Sequence, residues 1–478
     1  MGPQSTVLQR RLEDILPAGQ ISVDPKALQS NSEDYAWFSN VLEEDLAGYR
    51  ADVVAWPADE AQLAAALAVA YELRAPVTVR GGGTGNYGQC VPLRGGLVIN
   101  TNRMNGVLEL GDGYARVQAG VKLVELDQAA HATNQELRIY PSTYLTATVS
   151  GFVAGGSGGV GSITHGMLVD GNVLAARVYP VNEHPAALHV QGDELSCYIH
   201  AYGVTGVMAD VTVPLAPRQM WEQAVVSFAD ILACHGFCMA LLDDNSIDKR
   251  LACTAEPAVV THFRRSRLPF NMERTASLLV FGVGQRDKVM SLAARHGGVL
   301  DFALPRDTKT RLTDFSWNHT TLWAKKSDPS LTYLQAGFLP DRFEEQVRAI
   351  KAEYGEEFGI HGEYARAGGA PFAGSLPIVP FKGREHLNRM IAFLEDIGVS
   401  IANPHTCVLE EGSRTDNVDE ILRVKRRNDP AGLLNPGKLY AARDDATPRS
   451  QRTSTLGLAR RISNREERLL PAELSTGE

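Results

Sequence analysis

The chain has 478 residues, 44% of them hydrophobic and 22% charged, with a formal net charge of -9 at pH 7. This composition is typical of a folded protein with a buried core and excludes a largely disordered chain. The negative charge argues against a nucleic-acid partner. No apolar run approaches the roughly 18 residues that a membrane-spanning helix needs, so we expect no integral membrane segment.

The first residues and the cysteines indicate a cellular compartment. The chain runs from Met1 into a charged stretch and shows no apolar core of a signal peptide. The six cysteines are scattered along the sequence. Cys234 and Cys238 are one helical turn apart, but no nearby His or Cys pair completes a tetrahedral metal site. We therefore expect a cytoplasmic protein with reduced thiols and no metal ion.

Residues 1–44 lead into a unit that alternates strands and helices, which we place at residues 45–217. Strands are predicted at residues 52–56, 77–79, 97–100, 107–110, 114–119 and 209–213. Asp59, with Gln62 three positions later, predicts a capped helix after the first strand. A second helix is predicted near residues 121–132. This mixture indicates an α+β unit.

The pattern changes after residue 217, and residues 218–420 are expected to form a second domain, a cap over the first. Amphipathic helices are predicted at residues 343–354 and 387–397. Strands are predicted at residues 277–283, 314–323, 331–338 and 400–409. These elements predict an antiparallel sheet with helices on one face. Residues 421–440 then return to the first unit, and residues 441–478, rich in Arg, Ser, Thr and Glu, are expected to form a mobile tail.

Glycine is concentrated in two stretches, residues 80–96 and 151–171. Both contain the spacing G-x-G-x-x-G, beginning at Gly83 and at Gly156. A Rossmann dinucleotide site requires a helix directly after the first of these runs, but the sequence there has no helical period and is interrupted by Pro92. Consecutive glycines can instead turn backbone N–H groups toward an anion without a helix. Glycine content alone leaves open the alternative of two tight turns.

Four segments, in order along the chain, carry a resemblance to a known family. They are Val79-Arg80-Gly81-Gly82-Gly83-Thr84-Gly85-Asn86-Tyr87-Gly88-Gln89, then Pro141-Ser142-Thr143 with the glycine-rich residues 147–159, then residues 203–208, and last residues 429–439. They resemble the pyrophosphate loop, the second flavin-binding segment, the turn at the adenine end and the C-terminal return of the vanillyl-alcohol oxidase superfamily of FAD flavoproteins. The resemblance covers about residues 10–440, and the lead-in is similar to that of glycolate oxidase and D-lactate dehydrogenase-like members.

The resemblance implies a two-subdomain, PCMH-type FAD-binding domain with a substrate-binding cap. It also implies a set of cofactor-binding residues, all lying in the matched segments. These are Arg80, Gly81, Gly82, Gly83, Thr84, Gly85, Asn86, Tyr87, Gln89, Pro141, Ser142, Thr143, Thr148, Gly151, Gly155, Gly156, Ser157, Gly158, Gly161, Ser162, Gly206, Val207, Asn435 and Lys438.

The chain departs from the family pattern at positions that matter for the chemistry. Many members attach the flavin covalently through a His directly after the glycines, where this chain has Thr84, and some add a Cys where it has Tyr140. We therefore expect noncovalent FAD. The hydroxy-acid dehydrogenase branch often carries a Gly-Glu-His-Gly motif, and residues 359–363, Gly-Ile-His-Gly-Glu, are only a rearranged version of it. This weakens an assignment to simple 2-hydroxy acids and any assignment of a metal ion.

The cap supplies the candidates for substrate chemistry. On the predicted strand at residues 314–323, alternation places Phe315, Trp317, His319, Thr321 and Trp323 on one face. His319 and His405 are candidate bases for a hydroxyl proton, because imidazole titrates near neutral pH. Tyr333, Tyr364 and Arg366 are candidates to stabilise a developing oxyanion. The alternative is that either histidine is only a hydrogen-bonded structural residue.

These observations predict an FAD-dependent oxidoreductase that oxidises an organic alcohol, hydroxy acid or phenolic-type small molecule by hydride transfer to flavin, with oxygen or another acceptor reoxidising it. One alternative is an NAD(P)H-dependent flavin reductase of the same fold, although no nicotinamide-specific motif is present. Another is a flavin-bearing electron-transfer subunit without its own substrate, although the chain lacks iron–sulfur cysteine spacing. Many relatives are dimers, so the resemblance allows a homodimer, but the sequence shows no interface signature.

Overall fold

The computed structural model describes residues 3–306, 308–412 and 417–439. The α-helices are Pro3–Glu13, Pro25–Asn31, Asn40–Asp45, Glu60–Glu72, Leu123–His131, Val149–Gly155, Ser162–His165, Ile231–Asp243, Pro257–Val260, Arg286–Arg295, Asn318–Ser327, Phe343–Tyr354, Arg384–Asp396, Leu409–Gly412 and Val418–Asn428. Shorter 3-10 turns are Tyr35–Phe38, Thr101–Arg103, Gly192–Cys197, Thr261–Ser266, Leu312–Phe315, Pro340–Arg342 and Gly355–Glu357. Mixed helix and sheet confirm the predicted α+β class. The predicted mobile tail, residues 441–478, lies outside the described residues.

The first sheet contains the strand that leads into the first glycine stretch. Its strands, in spatial order, are Ile21–Ser22, Val53–Ala55, Leu97–Asn100 and Val77–Arg80. The last three run parallel and are largely buried, as their apolar sequences require. The adjacent helix Glu60–Glu72 begins where predicted, because the Asp59 carboxylate accepts the N–H of Gln62 and the Gln62 side chain accepts the N–H of Ala58.

The second sheet completes the N-terminal unit and is antiparallel throughout. Its path is Val107–Gly111, Tyr114–Gln118, Val207–Pro217, Ala175–Tyr179 and Leu188–Gln191, and Gln135–Leu137 pairs with the far end of Val207–Pro217. Asp210 lies buried in the central strand. Arg116 on the neighbouring strand donates to both of its carboxylate oxygens, at 2.8 and 2.9 Å. This fork-shaped ion pair compensates the desolvated charge.

The third sheet, here called the cap sheet, has eight antiparallel strands. In spatial order they are Val299–Ala303, Trp221–Phe228, Thr275–Gly282, Lys249–Ala255, His361–Ala367, Ala370–Ser375, Ala336–Gly337 and Ser400–Ile401. A separate pair joins Leu331–Tyr333 to Ile378–Pro380. The long helix Ile231–Asp243 packs on one face through Phe237 and Leu241, and the short helix Pro257–Val260 packs on the other. Within the described residues, no helix combines the length and apolar character needed to cross a bilayer.

The predicted strand at residues 314–323 is wrong. The chain makes a 3-10 turn at Leu312–Phe315 and a helix at Asn318–Ser327, with a sharp break at Trp317, whose φ is 51°. The alternating aromatics fit this arrangement equally well, because the rings of Phe315 and Trp323 stack with centroids 5.0 Å apart. Period-two spacing over a few residues therefore did not distinguish the two structures.

Two other predicted strands are much shorter in the structure. Residues 331–338 divide into Leu331–Tyr333 and Ala336–Gly337, which belong to different sheets. Residues 400–409 are extended only at Ser400–Ile401. There the strand stops because Pro404 has no N–H for a ladder and the Asn403 side chain accepts the N–H of His405, forming a turn.

The C-terminal return is anchored by a buried ion pair. After the helix Val418–Asn428, the chain runs beside the first sheet, where Val77 donates to the carbonyl of Leu433. The Lys425 ammonium contacts the Asp429 carboxylate at 2.8 Å, and the two side chains are 5% and 0% exposed. Lys425 also donates to the carbonyl of Leu434, so this lysine ties the end of the last helix to the strand-like segment that follows.

We predict that Lys425→Met destabilises the protein by about 3–5 kcal/mol, because it leaves the buried Asp429 carboxylate without its cation. Urea unfolding monitored by circular dichroism measures the change. Lys382→Met is the matched control, since Lys382 pairs with Glu357 where both side chains are about half exposed. The control should lose at most about 1 kcal/mol. Equal losses in the two variants would contradict the anchoring role.

Candidate active site

One elongated cavity brings both glycine stretches together with the cap sheet. Most of the predicted cofactor-binding residues line it: Gly81, Gly82, Gly83, Thr84, Gly85, Asn86, Tyr87, Gln89, Pro141, Ser142, Thr143, Thr148, Gly151, Gly155, Gly156, Ser157, Gly158 and Gly206. The opposite wall comes from the cap and includes Trp317, His319 and Glu363. Segments more than two hundred residues apart in sequence therefore share one space.

The first glycine loop follows directly from the strand Val77–Arg80. The backbone N–H groups of residues 82–86 donate to no other group in the described part of the chain. At Gly82 a Cβ atom would lie 2.3 Å from the carbonyl oxygen of Thr146, so only glycine permits this approach between the two loops. A run of unpaired backbone donors along a cavity wall is a site suited to an anion such as a diphosphate.

The second glycine segment forms the facing floor of the cavity. Its helix, Val149–Gly155, begins at Thr148, whose side chain accepts the N–H of Gly151 at 3.2 Å. The hydroxyl of Ser150 is buried without a partner in the described structure and lines the cavity. The two segments are joined where Thr143 donates to Thr84 at 3.2 Å.

The C-terminal return supports the first loop from behind. Lys438 donates to the carbonyl of Gly88, and Asn435 donates to the carbonyl of Gln89 at 2.9 Å. The Gln89 side chain in turn donates to Gly155 at 2.8 Å, which connects the loop to the second segment. Asn435 and Lys438 were predicted to touch the cofactor, but they do not line the cavity and instead hold the loop that does.

Four other predicted cofactor residues also lie outside the cavity lining. Arg80 turns back toward the carbonyl of Glu33, and Gly161 donates to the carbonyl of Arg250 at 2.8 Å. Ser162 accepts the N–H of Gly159 at 3.0 Å, and Val207 is a fully buried strand residue. The structure gives these residues roles in shaping the loops, because each is directed at protein backbone or core.

Two cavity residues that were not predicted from the sequence, Tyr202 and His200, lie just before the turn at residues 203–208. Tyr87 and Tyr202 are stacked with centroids 6.3 Å apart, and a ring nitrogen of His200 lies 2.9 Å from the carbonyl of Gly156. Tyr202 and His200 both line the cavity. Their proximity to the loops depends on tertiary packing, and no motif in the sequence marks it.

The cap wall contains a buried carboxylate that was not among the predicted site residues. The side chain of Glu363 is 3% exposed and lies 3.0 Å from Nε2 of His361 through its Oε1. The same oxygen accepts the backbone N–H of Trp317. The second oxygen, Oε2, has no partner in the described structure, and Glu363 lines the cavity. Burial raises the pKa of this carboxyl, and the His361 and Trp317 contacts partly offset that effect.

The protonation of His361 follows from its neighbours. The Thr320 hydroxyl donates to the carbonyl of Phe315 at 2.7 Å, so its oxygen must accept at its 3.1 Å contact with Nε2 of His361. Nε2 therefore carries a proton and donates toward Glu363 as well. The second ring nitrogen, Nδ1, is buried without a partner in the described residues.

Cys253 lies close enough to these two side chains for all three to contact one ion. Burial raises the pKa of the Cys253 thiol well above its usual range, so the thiol is neutral, whereas metal ions bind the thiolate. The described residues around it supply three donors, fewer than the four of a structural zinc site. We assign no metal to this group, and the absence of a metal ion stays a prediction.

Of the predicted catalytic residues, His319 lines the cavity. Burial lowers the pKa of His319, so its imidazole is neutral at pH 7. Tyr333 and His405 lie one layer behind the wall. The Tyr333 hydroxyl accepts from Asn86, and Nδ1 of His405 lies 2.7 Å from the hydroxyl of Ser39.

The placement of Tyr364 and Arg366 corrects the prediction for both. They point from the strand His361–Ala367 to the face opposite Glu363, because neighbouring strand residues alternate. There the Tyr364 hydroxyl lies 2.9 Å from Nδ1 of His235 and Arg366 donates to the carbonyl of Leu242 at 2.9 Å. Neither residue lines the cavity, and we assign both to packing against the helix Ile231–Asp243.

The residues present fit FAD. The unpaired N–H groups of the first loop suit a diphosphate, and the orphaned Ser150 hydroxyl and Gln89 carbonyl oxygen offer further polar contacts. Gly82 lines the cavity and allows the two loops to approach each other, since a Cβ there would clash with the carbonyl oxygen of Thr146. The result is a cavity with backbone donors on its loop side and the cap wall opposite.

Comparison with known proteins supports FAD as the cofactor of this cavity. Residues 51–180 match the family model of an FAD binding domain. Glycolate oxidase subunit GlcD of Escherichia coli strain K12 is 25% identical over 420 residues, covering 81% of this chain and 83% of that protein. D-lactate dehydrogenase of Archaeoglobus fulgidus is 36% identical over 189 residues, covering 37% of this chain and 41% of that protein. A solved structure of alkyldihydroxyacetonephosphate synthase superposes with a TM-score of 0.69 at 14% identity, covering 92% of this chain and 85% of that one.

We predict that Gly82→Ala weakens FAD binding tenfold or more. The added methyl group would force the two loops apart at a contact of 2.3 Å with a backbone oxygen, and overpacking of this kind costs about 1–3 kcal/mol. Flavin content after dialysis and titration of the apoprotein with FAD measure the effect.

Gly236→Ala is the control for that substitution. Gly236 lies within the helix Ile231–Asp243, and a Cβ there would come no closer than 3.3 Å, to the ring of His296. The helix should tolerate or gain from alanine. Full flavin content in Gly82→Ala would show that the close approach of the loops is not required for binding.

Proposed function

We propose that the chain, which contains an FAD binding domain at residues 51–180 and is similar to FAD-linked oxidoreductases, is a member of the vanillyl-alcohol oxidase superfamily. In this proposal it binds FAD noncovalently and oxidises a small organic molecule at a hydroxyl-bearing carbon. The observation that carries the proposal is the cavity that joins the glycine loops to a cap wall with His319 and Glu363. A wall of this kind places proton-accepting groups beside a flavin cradle, as alcohol oxidation requires.

In the proposed reaction, the hydride and the hydroxyl proton of the substrate go to different acceptors. FAD, when bound, supplies the acceptor for the hydride that leaves the substrate carbon. His319 takes the hydroxyl proton, and the C–O bond becomes a carbonyl, so two electrons and one proton leave with the hydride and one proton goes to the imidazole. Burial lowers the pKa of His319, which keeps the ring in the neutral form that can accept a proton. Trp317 and Phe372 line the same wall and exclude water.

Three side chains bear on how FAD is held. Thr84 lines the cavity and stands where many family members have the His that attaches flavin. Tyr140 lies outside the lining, where the guanidinium of Arg250 is 5.0 Å from its ring centroid. Cys90 lines the cavity, and burial raises the pKa of its thiol to about 11, so the reactive thiolate is scarce at neutral pH. These features support noncovalent binding.

We predict that the purified protein shows oxidised-flavin absorption and that acid precipitation moves all of it to the supernatant. Absorption spectra before and after precipitation measure this, with FAD distinguished from FMN by chromatography. Flavin retained in the pellet would contradict noncovalent binding. Rapid bleaching by NADPH without another substrate would instead favour a nicotinamide-dependent reductase.

We predict that His319→Ala lowers the rate of anaerobic flavin reduction by substrate about 100-fold while leaving flavin content intact, since a positioned base contributes 10²–10⁴ in rate. In the unaltered protein the rate should be constant near neutral pH. It should fall as the pH drops through the lowered pKa of His319, below the usual value of about 6.5, because protonation removes the base.

The pH profile separates a base from a structural role, since His319→Ala should lose this fall. His189→Ala is the control, because His189 is an exposed strand residue outside the cavity. Unchanged flavin reduction in His319→Ala would remove His319 from the mechanism.

A further inference from the structure

We propose that Glu363 selects substrates by charge, so that the site accepts neutral or cationic alcohols and rejects those that carry a carboxylate. This inference rests on the proposed function, since it names the substrate class of the same cavity. It concerns specificity, and it assigns Glu363 a contact with the substrate through the oxygen that the protein leaves unpaired.

The first observation is the geometry of the carboxylate. Oε1 is held by two donors, the N–H of Trp317 and Nε2 of His361, the latter at 3.0 Å. Oε2 has no partner among the described residues, although the side chain is 97% removed from solvent and lines the cavity. A buried polar atom without a partner is costly unless something in the site completes its hydrogen bonding. A donor on the substrate, either a hydroxyl or an ammonium group, satisfies that need.

The second observation is a pair of donors beside Glu363 that stabilise its carboxylate form and partly offset the cost of burying it. Nε2 of His361 carries a proton and donates toward Glu363. This follows because the Thr320 hydroxyl donates to the carbonyl of Phe315 and can only accept at its contact with Nε2. Trp317 precedes the ten-residue helix Asn318–Ser327 and contributes its N–H from a backbone with a positive φ of 51°. A backbone strained in this way commonly marks a functional site. The helix end adds a positive electrostatic contribution.

The third observation is the composition of the remaining wall. The cap contributes Trp317, Phe372 and Leu376 to this wall, and its polar lining residues besides Glu363 carry no fixed charge: Asn318, His319, Gln335 and Ser375. Among the described residues that line the cavity there is no lysine or arginine. Binding of a carboxylate normally relies on such a cation, most often a bidentate arginine. A substrate carboxylate here would meet Glu363 instead.

The proposed substrate class differs from the substrates that appear in the names of two relatives. Glycolate and D-lactate, which appear in those names, are both 2-hydroxy acids. Their carboxylates would enter this cavity against the charge of Glu363. An uncharged aromatic alcohol, or one with an ammonium group, matches both the aromatic lining and the free oxygen.

The test uses three ligands of nearly equal shape and different charge: benzamidinium, benzamide and benzoate. None of them carries an oxidisable hydroxyl, so binding is measured without turnover. Calorimetric titration of the FAD-loaded protein at pH 8 gives the three dissociation constants. We expect benzamidinium to bind at least tenfold more tightly than benzoate, with benzamide between them.

Glu363→Gln keeps the size of the side chain and removes the charge. The ratio of the benzoate to benzamidinium dissociation constants should fall about tenfold or more in this variant. Glu385→Gln makes the same chemical change at a position that is 96% exposed on the helix Arg384–Asp396, and the ratio should not change there. Flavin content of each variant verifies that the fold is intact.

Several results would overturn the inference. These are benzoate binding as tightly as benzamidinium in the unaltered protein, a ratio unchanged by Glu363→Gln, or no binding of benzamidinium at millimolar concentration. The proposed function fails separately, if the purified protein holds no FAD after reconstitution. If the protein holds FAD and mandelate reduces the flavin faster than 1-phenylethanol does, the proposed function stands and the charge selection by Glu363 is wrong.

Discussion

The flavin side of the molecule depends on a close backbone contact between two loops. At Gly82 there is no room for even a methyl group, since a Cβ would lie 2.3 Å from the carbonyl oxygen of Thr146. The hydrogen bonds from Thr143 to Thr84 and from Gln89 to Gly155 then fix the two loops to each other. These bonds use side chains of the two loops, and the backbone N–H groups of residues 82–86 have no partner in the described part of the chain. A binding surface made of main chain follows from this contact, and it needs no cationic side chain.

The same loop is held from behind by the last described part of the chain. Lys438 and Asn435 donate to carbonyls of the loop, and Lys425 fixes the segment that carries them through its buried pair with Asp429. A motif far along the sequence thus acts on the cofactor site without lining it. Sequence resemblance predicted that Asn435 and Lys438 contact the cofactor, but a motif match cannot distinguish a residue that contacts the ligand from one that supports the loop, because both constrain the residue type.

The α+β class and most of the cofactor-side lining could be predicted from the sequence, since glycine runs and buried strands have local signatures. The cap was harder. Aromatic alternation at residues 315–323 predicted a strand, but the positive φ of Trp317 breaks the chain and the stacked rings of Phe315 and Trp323 lie in a helical region. On the strand His361–Ala367, the residues predicted from the sequence were Tyr364 and Arg366, which lie on the face that packs on a helix. Which face of a strand meets the cavity depends on packing across the sheet, and no local pattern shows it.

The two walls of the cavity therefore differ in how they are built. The flavin wall is rich in glycine and exposed main chain, and at Gly82 a side chain is excluded by sterics. The cap wall is built from side chains on a sheet, and a change such as one at Glu363 alters charge without moving the cradle. A buried carboxylate is expensive to desolvate, and here His361 and the N–H of Trp317 compensate only one of its oxygens. In the proposed selection, the other oxygen pairs with a donor on the substrate. A substrate with a hydroxyl or ammonium group at that position therefore binds more favourably than one without a donor.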